Sequence, residues 1–212
     1  MTNTRERLIE VAQELFVKKG FKGTNVREVC QLASSNISSI SYYFNGKEGL
    51  YMACLTAFGE KARDFTRKTL VAPDTHDDLN EKLNQFASHL MRDYSERPEL
   101  LELCFSEIRS NDFQNALTSE GPFAEMVEML ERFFDQAKEK GLISDALDSF
   151  SMTSNFLGIL MHAISSDKKR TAKIGKSLKD DVEYRSAFLK EIIEVFLYGA
   201  AKREDYFSNM RA

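Results

Sequence analysis

The sequence has little that would interrupt a helix: 3 prolines and 10 glycines in 212 residues. So few breakers, beside abundant Leu, Ala, Glu and Lys, argue against a sandwich or barrel of short strands and for an all-α chain. No apolar run approaches the roughly 18 residues of a membrane span, so no membrane partner is expected. The 3 cysteines, Cys30, Cys54 and Cys104, are odd in number, far apart and form no CxxC pair. That argues against a disulfide framework and leaves reduced, mostly buried thiols as the expected state. Met1 to Arg7 is polar and charged and lacks the apolar segment of a secretory signal, so the expectation is a cytoplasmic protein. Histidine is scarce: His76, His89 and His162 are too few for a His-rich metal site. GxSxG, Walker A, GxGxxG and HExxH are all missing, which argues against an enzyme, and no metal or cofactor is expected. The acid pairs Asp77-Asp78 and Asp180-Asp181 stand at apparent helix starts, where they complement the helix dipole.

The composition that is present is that of a folded globular chain, with 42% hydrophobic and 29% charged residues. The length allows one or two domains and a substantial core. The formal net charge of -4 hides an asymmetry. Residues 1–47 hold seven Lys or Arg against four acids, a balance of +3, which leaves -7 for the remainder. Charge distribution matters more than its sum when a nucleic-acid partner is in question.

Leu8, Val11, Ala12, Leu15 and Phe16 recur at helical spacing, with Thr4 placed to cap the start and Gly20 to end the helix. Asn25 and Glu28 have the spacing of a capping box before a short helix bearing Val26, Val29, Cys30 and Ala33. Ser34-Ser35-Asn36 is a polar break, and Ser35 or Asn36 can cap a third helix that Ile37, Ile40 and Phe44 hold on the core. Asn45-Gly46 is a turn, and Lys47-Glu48 opens the next helix. Long helix, short helix, tight turn, short helix is a helix-turn-helix in a three-helix setting. Ser38, Ser39, Ser41 and Tyr42 are then left to point away from the core, and small polar side chains there let a backbone approach base edges.

The stretch Gly20-Phe21-Lys22-Gly23-Thr24-Asn25-Val26-Arg27-Glu28-Val29-Cys30 continues through Ala33 to Tyr42-Tyr43-Phe44-Asn45-Gly46-Lys47-Glu48-Gly49-Leu50. Together with Ala12-x-x-Leu15-Phe16 before it, this stretch resembles the TetR (tetracycline-repressor) family of bacterial transcription regulators. Ser34 departs from the usual Gly, Ser41 from a usual Tyr and Tyr43 from a common His. The resemblance implies a helix-turn-helix DNA-binding domain over 1–47 and a larger helical bundle for ligand binding and dimerisation over 48–212. It implies backbone-phosphate contacts at Thr24 and Asn25, base-reading or close-approach roles at Ser35, Asn36, Ser38 and Ser39, and phosphate clamps at Tyr42, Tyr43 and Lys47. Elementary chemistry agrees on two of these. A Lys at a helix start opposes its own dipole until a phosphate approaches, and a Tyr hydroxyl can donate to phosphate while its ring packs.

The rest of the chain reads as helices over 79–94, 100–108, 122–137, 150–165 and 188–197, with the basic segment 167–180 as a long loop. A palindromic duplex offers two half-sites about 34–36 Å apart, so a homodimer is expected. The resemblance places its contact on the last two long helices, roughly 150–166 and 182–203, which carry Phe156, Leu160, Leu189, Ile193, Phe196 and Leu197. Phe86, His89, Leu90, Phe105, Met126, Phe133, Phe156 and Met161 are the candidate lining for a small, mainly apolar effector, since Phe and Met suit an adaptable pocket. The same side chains are also ordinary bundle core. The expected function is an operator-binding repressor released by that effector. The alternative is a helical interaction protein whose helix-turn-helix no longer binds DNA.

Overall fold

An Asn-x-x-Glu start nucleates the first helix. In the computed structural model the Asn3 side chain accepts from the Arg5 amide at 3.2 Å, while the Glu6 carboxylate accepts from the Asn3 amide at 3.2 Å. The cap therefore lies one residue before Thr4, because Asn3 and Glu6 together satisfy two otherwise orphaned amides. The structure describes residues 3–98, 100–101 and 121–199. Nine helices and no strand are found among these residues: α1 (Thr4–Gly23), α2 (Val26–Leu32), α3 (Ser38–Phe44), α4 (Lys47–Thr69), α5 (His76–Glu96), α6 (Pro122–Glu139), α7 (Ser149–Ser165), α8 (Asp167–Ile174) and α9 (Val182–Tyr198). Cys104 and Phe105, and most of the helix expected over 100–108, lie outside the described residues.

Two compact units divide the chain, one within Met1–Arg67 and Arg97–Glu128, the other within Lys68–Glu96 and Met129–Ala212. In the first, α1 buries Leu8, Val11, Ala12, Leu15 and Phe16. It breaks at Gly20, whose φ of 68° is a left-handed value that suits glycine. The break brings Phe21 within 5.0 Å of the Tyr51 ring on α4, and Tyr51 in turn meets Phe16 edge-on at 4.9 Å. Gln13 Nε2 donates to the Cys54 carbonyl at 2.8 Å and Cys54 Sγ to the Ile9 carbonyl at 3.6 Å, tying α1 to α4 by polar bonds inside an apolar contact. Further along α4, Gly59 lies under the Phe123 ring of α6 so closely that a Cβ would fall 2.8 Å from it. Beyond that contact, Glu125 takes Arg63 at 3.5 Å and Arg67 at 3.3 Å.

Burial pushes the Cys54 thiol up from 9.0 to about 12. The neutral thiol is what the fold stabilises, so this contribution is complete below pH 9 and falls as pH rises toward 12. Reaction needs the thiolate. Native Cys54 is therefore expected to resist an aromatic disulfide reagent at pH 8 and to react once the chain is unfolded in urea. Rapid reaction of a Cys30→Ser, Cys104→Ser chain at pH 8 without denaturant would show that the α1–α4 contact opens readily.

In the second unit α5 packs against α9 and α7. Its core is aromatic. Phe156 lies 5.0 Å from Phe196, 6.2 Å from Phe86 and 6.4 Å from Phe134, and Phe134 lies 5.9 Å from Phe133. Asp148 and Asp181 cap α7 and α9, accepting from the Ser151 amide at 2.7 Å and the Tyr184 amide at 2.8 Å. Asp78 does not cap α5. Thr75 accepts the Asp78 amide, and the Asp78 carboxylate, held below its ordinary value by Lys82 and the Asp74 amide, ties the preceding turn down.

The basic stretch 167–180 is not simply a loop, because residues 167–174 form α8. Asp167, only 2% exposed, organises this segment. Its carboxylate accepts from the Leu178 amide at 2.8 Å, Ser177 Oγ at 3.1 Å, the Lys179 amide at 3.2 Å and the Tyr94 hydroxyl at 3.3 Å, with Arg170 at 3.5 Å. An acid that reads from sequence as part of a solvated charge run is the buried acceptor that lets the chain turn back after α8.

Candidate nucleic-acid interface

The first unit presents a helix-turn-helix in which local hydrogen bonds, rather than packing alone, hold the turn. Asn25 caps α2 by accepting the Arg27 amide at 2.9 Å. Glu28 does not complete a capping box, because both its oxygens go to Lys19 Nζ at 2.7 and 2.8 Å, an ion pair that fastens α2 to α1. At the end of α2 the Ser35 amide donates to the Cys30 carbonyl at 2.9 Å and the Ser34 amide to Gln31 at 3.2 Å. Ser34 has a φ of 52°. That left-handed conformation is the one a glycine would adopt without strain, which accounts physically for Gly being usual at this point of the resemblance.

Two buried side chains seat α3: Ile40 and Phe44. Asn45 closes the helix at φ 57°, a left-handed value that Asn tolerates. Opposite the seat, Tyr42 is 81% exposed and Tyr43 is 38% exposed, with their rings edge-on at 4.8 Å. Ile37 is 48% exposed. This corrects the sequence expectation that Ile37 helps to anchor the helix. It begins α3, and the two positions one and two turns further in carry the contact.

The polar candidates hydrogen-bond one another. Asn36 Oδ1 accepts from both the amide and the hydroxyl of Ser38 at 3.0 Å. Ser35 Oγ donates to Ser39 Oγ at 3.0 Å. Thr24 differs from the expectation that it contacts phosphate: it is 3% exposed, and its hydroxyl serves the Gly20 carbonyl at 2.9 Å and the Leu15 carbonyl at 3.1 Å. Its role in this structure is to close the break after α1. Lys47, at the start of α4, lays its ammonium 4.7 Å from the Phe21 ring centre and 3.4 Å from the Lys22 carbonyl. Arg5 lies over Phe44 at 5.6 Å. Two cations, one of them over the last residue of the presented helix and the other three residues beyond it, are thus held by contacts with aromatic faces. Neither the first turn nor the last turn of α3 carries a charged side chain of its own.

The second unit gathers part of the expected pocket lining but not all of it. Phe86, Phe133 and Phe156 join the aromatic core, Leu90 and Met161 are half-buried, and His89 pairs with Asp93 at 3.5 Å. Met126 belongs to the other unit, and Phe105 lies outside the described residues. Phe156, Leu160, Leu189 and Ile193 were expected at a subunit contact, but all four are buried within the single chain. Their large apolar side chains fill this unit's own core and leave no surface to share. Phe196 and Leu197 are half-buried, and Ile159 and Val195 are the exposed apolar residues of the middle of α7 and the end of α9.

Residues 8–54 match the family model described as bacterial regulatory proteins, tetR family. The probable HTH-type transcriptional regulator YttP of Bacillus subtilis is 47% identical over 58 residues, 27% of this chain and 28% of that relative. The HTH-type transcriptional repressor NicS of Pseudomonas putida is 27% identical over 150 residues, 67% of this chain and 66% of that one. Beyond the amino-terminal region the likeness to solved structures is one of fold. A transcriptional regulator FadR from Bacillus subtilis, described in complex with stearoyl-CoA, superposes with a TM-score of 0.75 at 15% identity, covering 92% of this chain and 98% of that one. These names point to regulators rather than enzymes. No helix among the described residues is long and apolar enough to cross a membrane. With its helix-turn-helix seated as above, the amino-terminal region of the chain, residues 8–54, is similar to that of the TetR-family transcriptional regulators.

Proposed function

We propose that this chain is a repressor that binds a palindromic operator as a homodimer and is released by a small, mainly apolar effector. The observation that carries the reading is α3, seated by Ile40 and Phe44 while Tyr42 stands 81% exposed and Ile37, at the helix start, 48% exposed. A helix that displays large apolar side chains with cations near its end has the form of a groove-reading element. Asn25, Tyr42, Tyr43 and Lys47 are the proposed phosphate contacts, with Ser35, Asn36, Ser38 and Ser39 close to the bases. The proposed DNA-binding domain spans 1–47.

A dimer is supported by α7, where Gly158 sits at an exposed mid-helix position and a Cβ would meet nothing within 4 Å. A mid-helix glycine costs roughly 0.5–1 kcal/mol relative to alanine and brings no benefit within one chain. A second copy approaching along Gly158, Ile159 and Val195 would give it one. An internal effector is supported by the aromatic interior and by Thr153, 1% exposed, whose hydroxyl has no hydrogen-bond partner among the described residues. The stearoyl-CoA named for the fold neighbour joins an apolar stearoyl chain to a charged coenzyme A, and only the stearoyl part is of the proposed class.

The test is selection of duplexes from a random pool by the purified protein, then sequencing. A recovered palindrome is expected. No enrichment even at low salt would overturn the regulator reading in favour of an interaction protein. On the recovered duplex, Lys47→Gln is expected to weaken binding about equally for all sequences. It is also expected to lower the slope of log affinity against log salt by about 1 per protomer. An unchanged slope would remove Lys47 from the phosphate contacts.

A further inference from the structure

Ile37 is a large aliphatic side chain left exposed at the very start of α3, and the fold has little use for it there. It is 48% exposed, makes no side-chain cap bond and already has helical torsions, φ -60° and ψ -31°. Asn36, one residue earlier, supplies the capping oxygen to the Ser38 amide. A β-branched apolar residue on an exposed first turn adds nothing to helix formation that Ser, Asp or Glu would not exceed.

The neighbouring polar groups are poorly placed for strong base discrimination. Bidentate recognition of adenine needs both the oxygen and the amide of an Asn or Gln, and Asn36 Oδ1 is committed to Ser38. Serine hydroxyls accept and donate to either partner and discriminate weakly, and Ser35 and Ser39 are bonded to each other. The sequence of α3, Ser-Ser-Ile-Ser-Tyr-Tyr-Phe, contains no Arg, Lys, Asn or Gln to address a guanine or adenine edge. One base feature of the major groove is apolar, the C5-methyl of thymine, and aliphatic side chains read it by contact.

We infer that Ile37 is a specificity determinant that reads a thymine methyl in each operator half-site. This rests on the DNA-binding reading above. It assigns to an aliphatic side chain the discrimination that polar side chains supply in bidentate recognition.

The test uses the full chain and the selected operator, with each thymine replaced in turn by deoxyuridine, which removes the methyl and nothing else. At one thymine per half-site the replacement is expected to weaken wild-type binding roughly fourfold, and roughly fifteenfold when made in both halves, the value of one buried methyl each time. Ile37→Ala is expected to bind the unmodified operator weaker by a similar factor and to lose its sensitivity at that thymine alone. Its melting temperature should stay near wild type, because Ile37 is not core. Two results would overturn the inference. One is that no thymine is sensitive to loss of its methyl. The other is that the sensitive thymine stays equally sensitive in Ile37→Ala, which would pass the contact to Tyr42. A chain that retains no duplex at low salt would overturn the DNA-binding reading itself, and the inference with it.

Discussion

Truncating Phe156 to alanine is expected to cost about 3–5 kcal/mol of stability. The ring has 0% exposure and touches Phe86, Phe134 and Phe196, so its loss removes contacts from three helices at once and leaves a cavity that they cannot all close. The melting temperature should fall on the order of 10 °C, with a matching drop in the urea midpoint. Ile159→Ala is the informative contrast. Ile159 lies on the same helix but is exposed, so its truncation should leave the monomer within about 0.5 kcal/mol of wild type. It should instead weaken self-association in sedimentation. If Phe156→Ala melted with wild type and lowered association instead, Phe156 would belong to a subunit contact.

Asp167→Ala is expected to be comparably damaging, about 3–5 kcal/mol, for an electrostatic reason. Removing the carboxylate leaves two amides, the Tyr94 and Ser177 hydroxyls and the Arg170 guanidinium without the acceptor they share. The Leu178 amide, buried, loses the acceptor it donates to and bears its desolvation cost, while Arg170, Ser177 and the Lys179 amide keep alternative acceptors in Ala163, Asp180 and Ser177. Asp167→Asn keeps one acceptor oxygen and should fall between the two. The segment this acid organises carries Lys168, Lys169, Arg170, Lys173, Lys176 and Lys179. Limited trypsin digestion is therefore a direct measure: the alanine variant should be cut within 168–179 much faster than wild type. Equal cutting rates would mean that α8 holds its place without the carboxylate.

Much of the fold was legible because its signals are local. The apolar spacing of Leu8, Val11, Ala12, Leu15 and Phe16 can be satisfied only by a helix with one buried face, and α1 buries all five. Asn25 and Asp181 cap the helices they precede, since a short polar side chain before an apolar run has few other uses. The seat of α3 on Ile40 and Phe44 was also readable. What escaped were choices among chemically similar residues. Ile37 lies three residues before Ile40, and spacing alone places both on the core. Thr24 has a hydroxyl like any surface threonine, and only the break at Gly20 turns it inward to two carbonyls. Glu28 has the spacing of a capping box, but Lys19 competes for it from across the helix pair.

The sequence by itself determined an all-helical chain with an amino-terminal helix-turn-helix, because helix periodicity, caps and breakers act over a few residues and need no partner from elsewhere. The tertiary structure decided which side of each element faces protein and which faces outward. It made Phe156, Leu160, Leu189 and Ile193 core rather than surface, left Ile37 and Tyr42 outside, and converted Asp167 from a surface charge into a buried acceptor. Those outcomes depend on which side chains from distant parts of the chain share the same space. Volume and hydrogen-bond satisfaction settle that, and neither can be summed along a single helix.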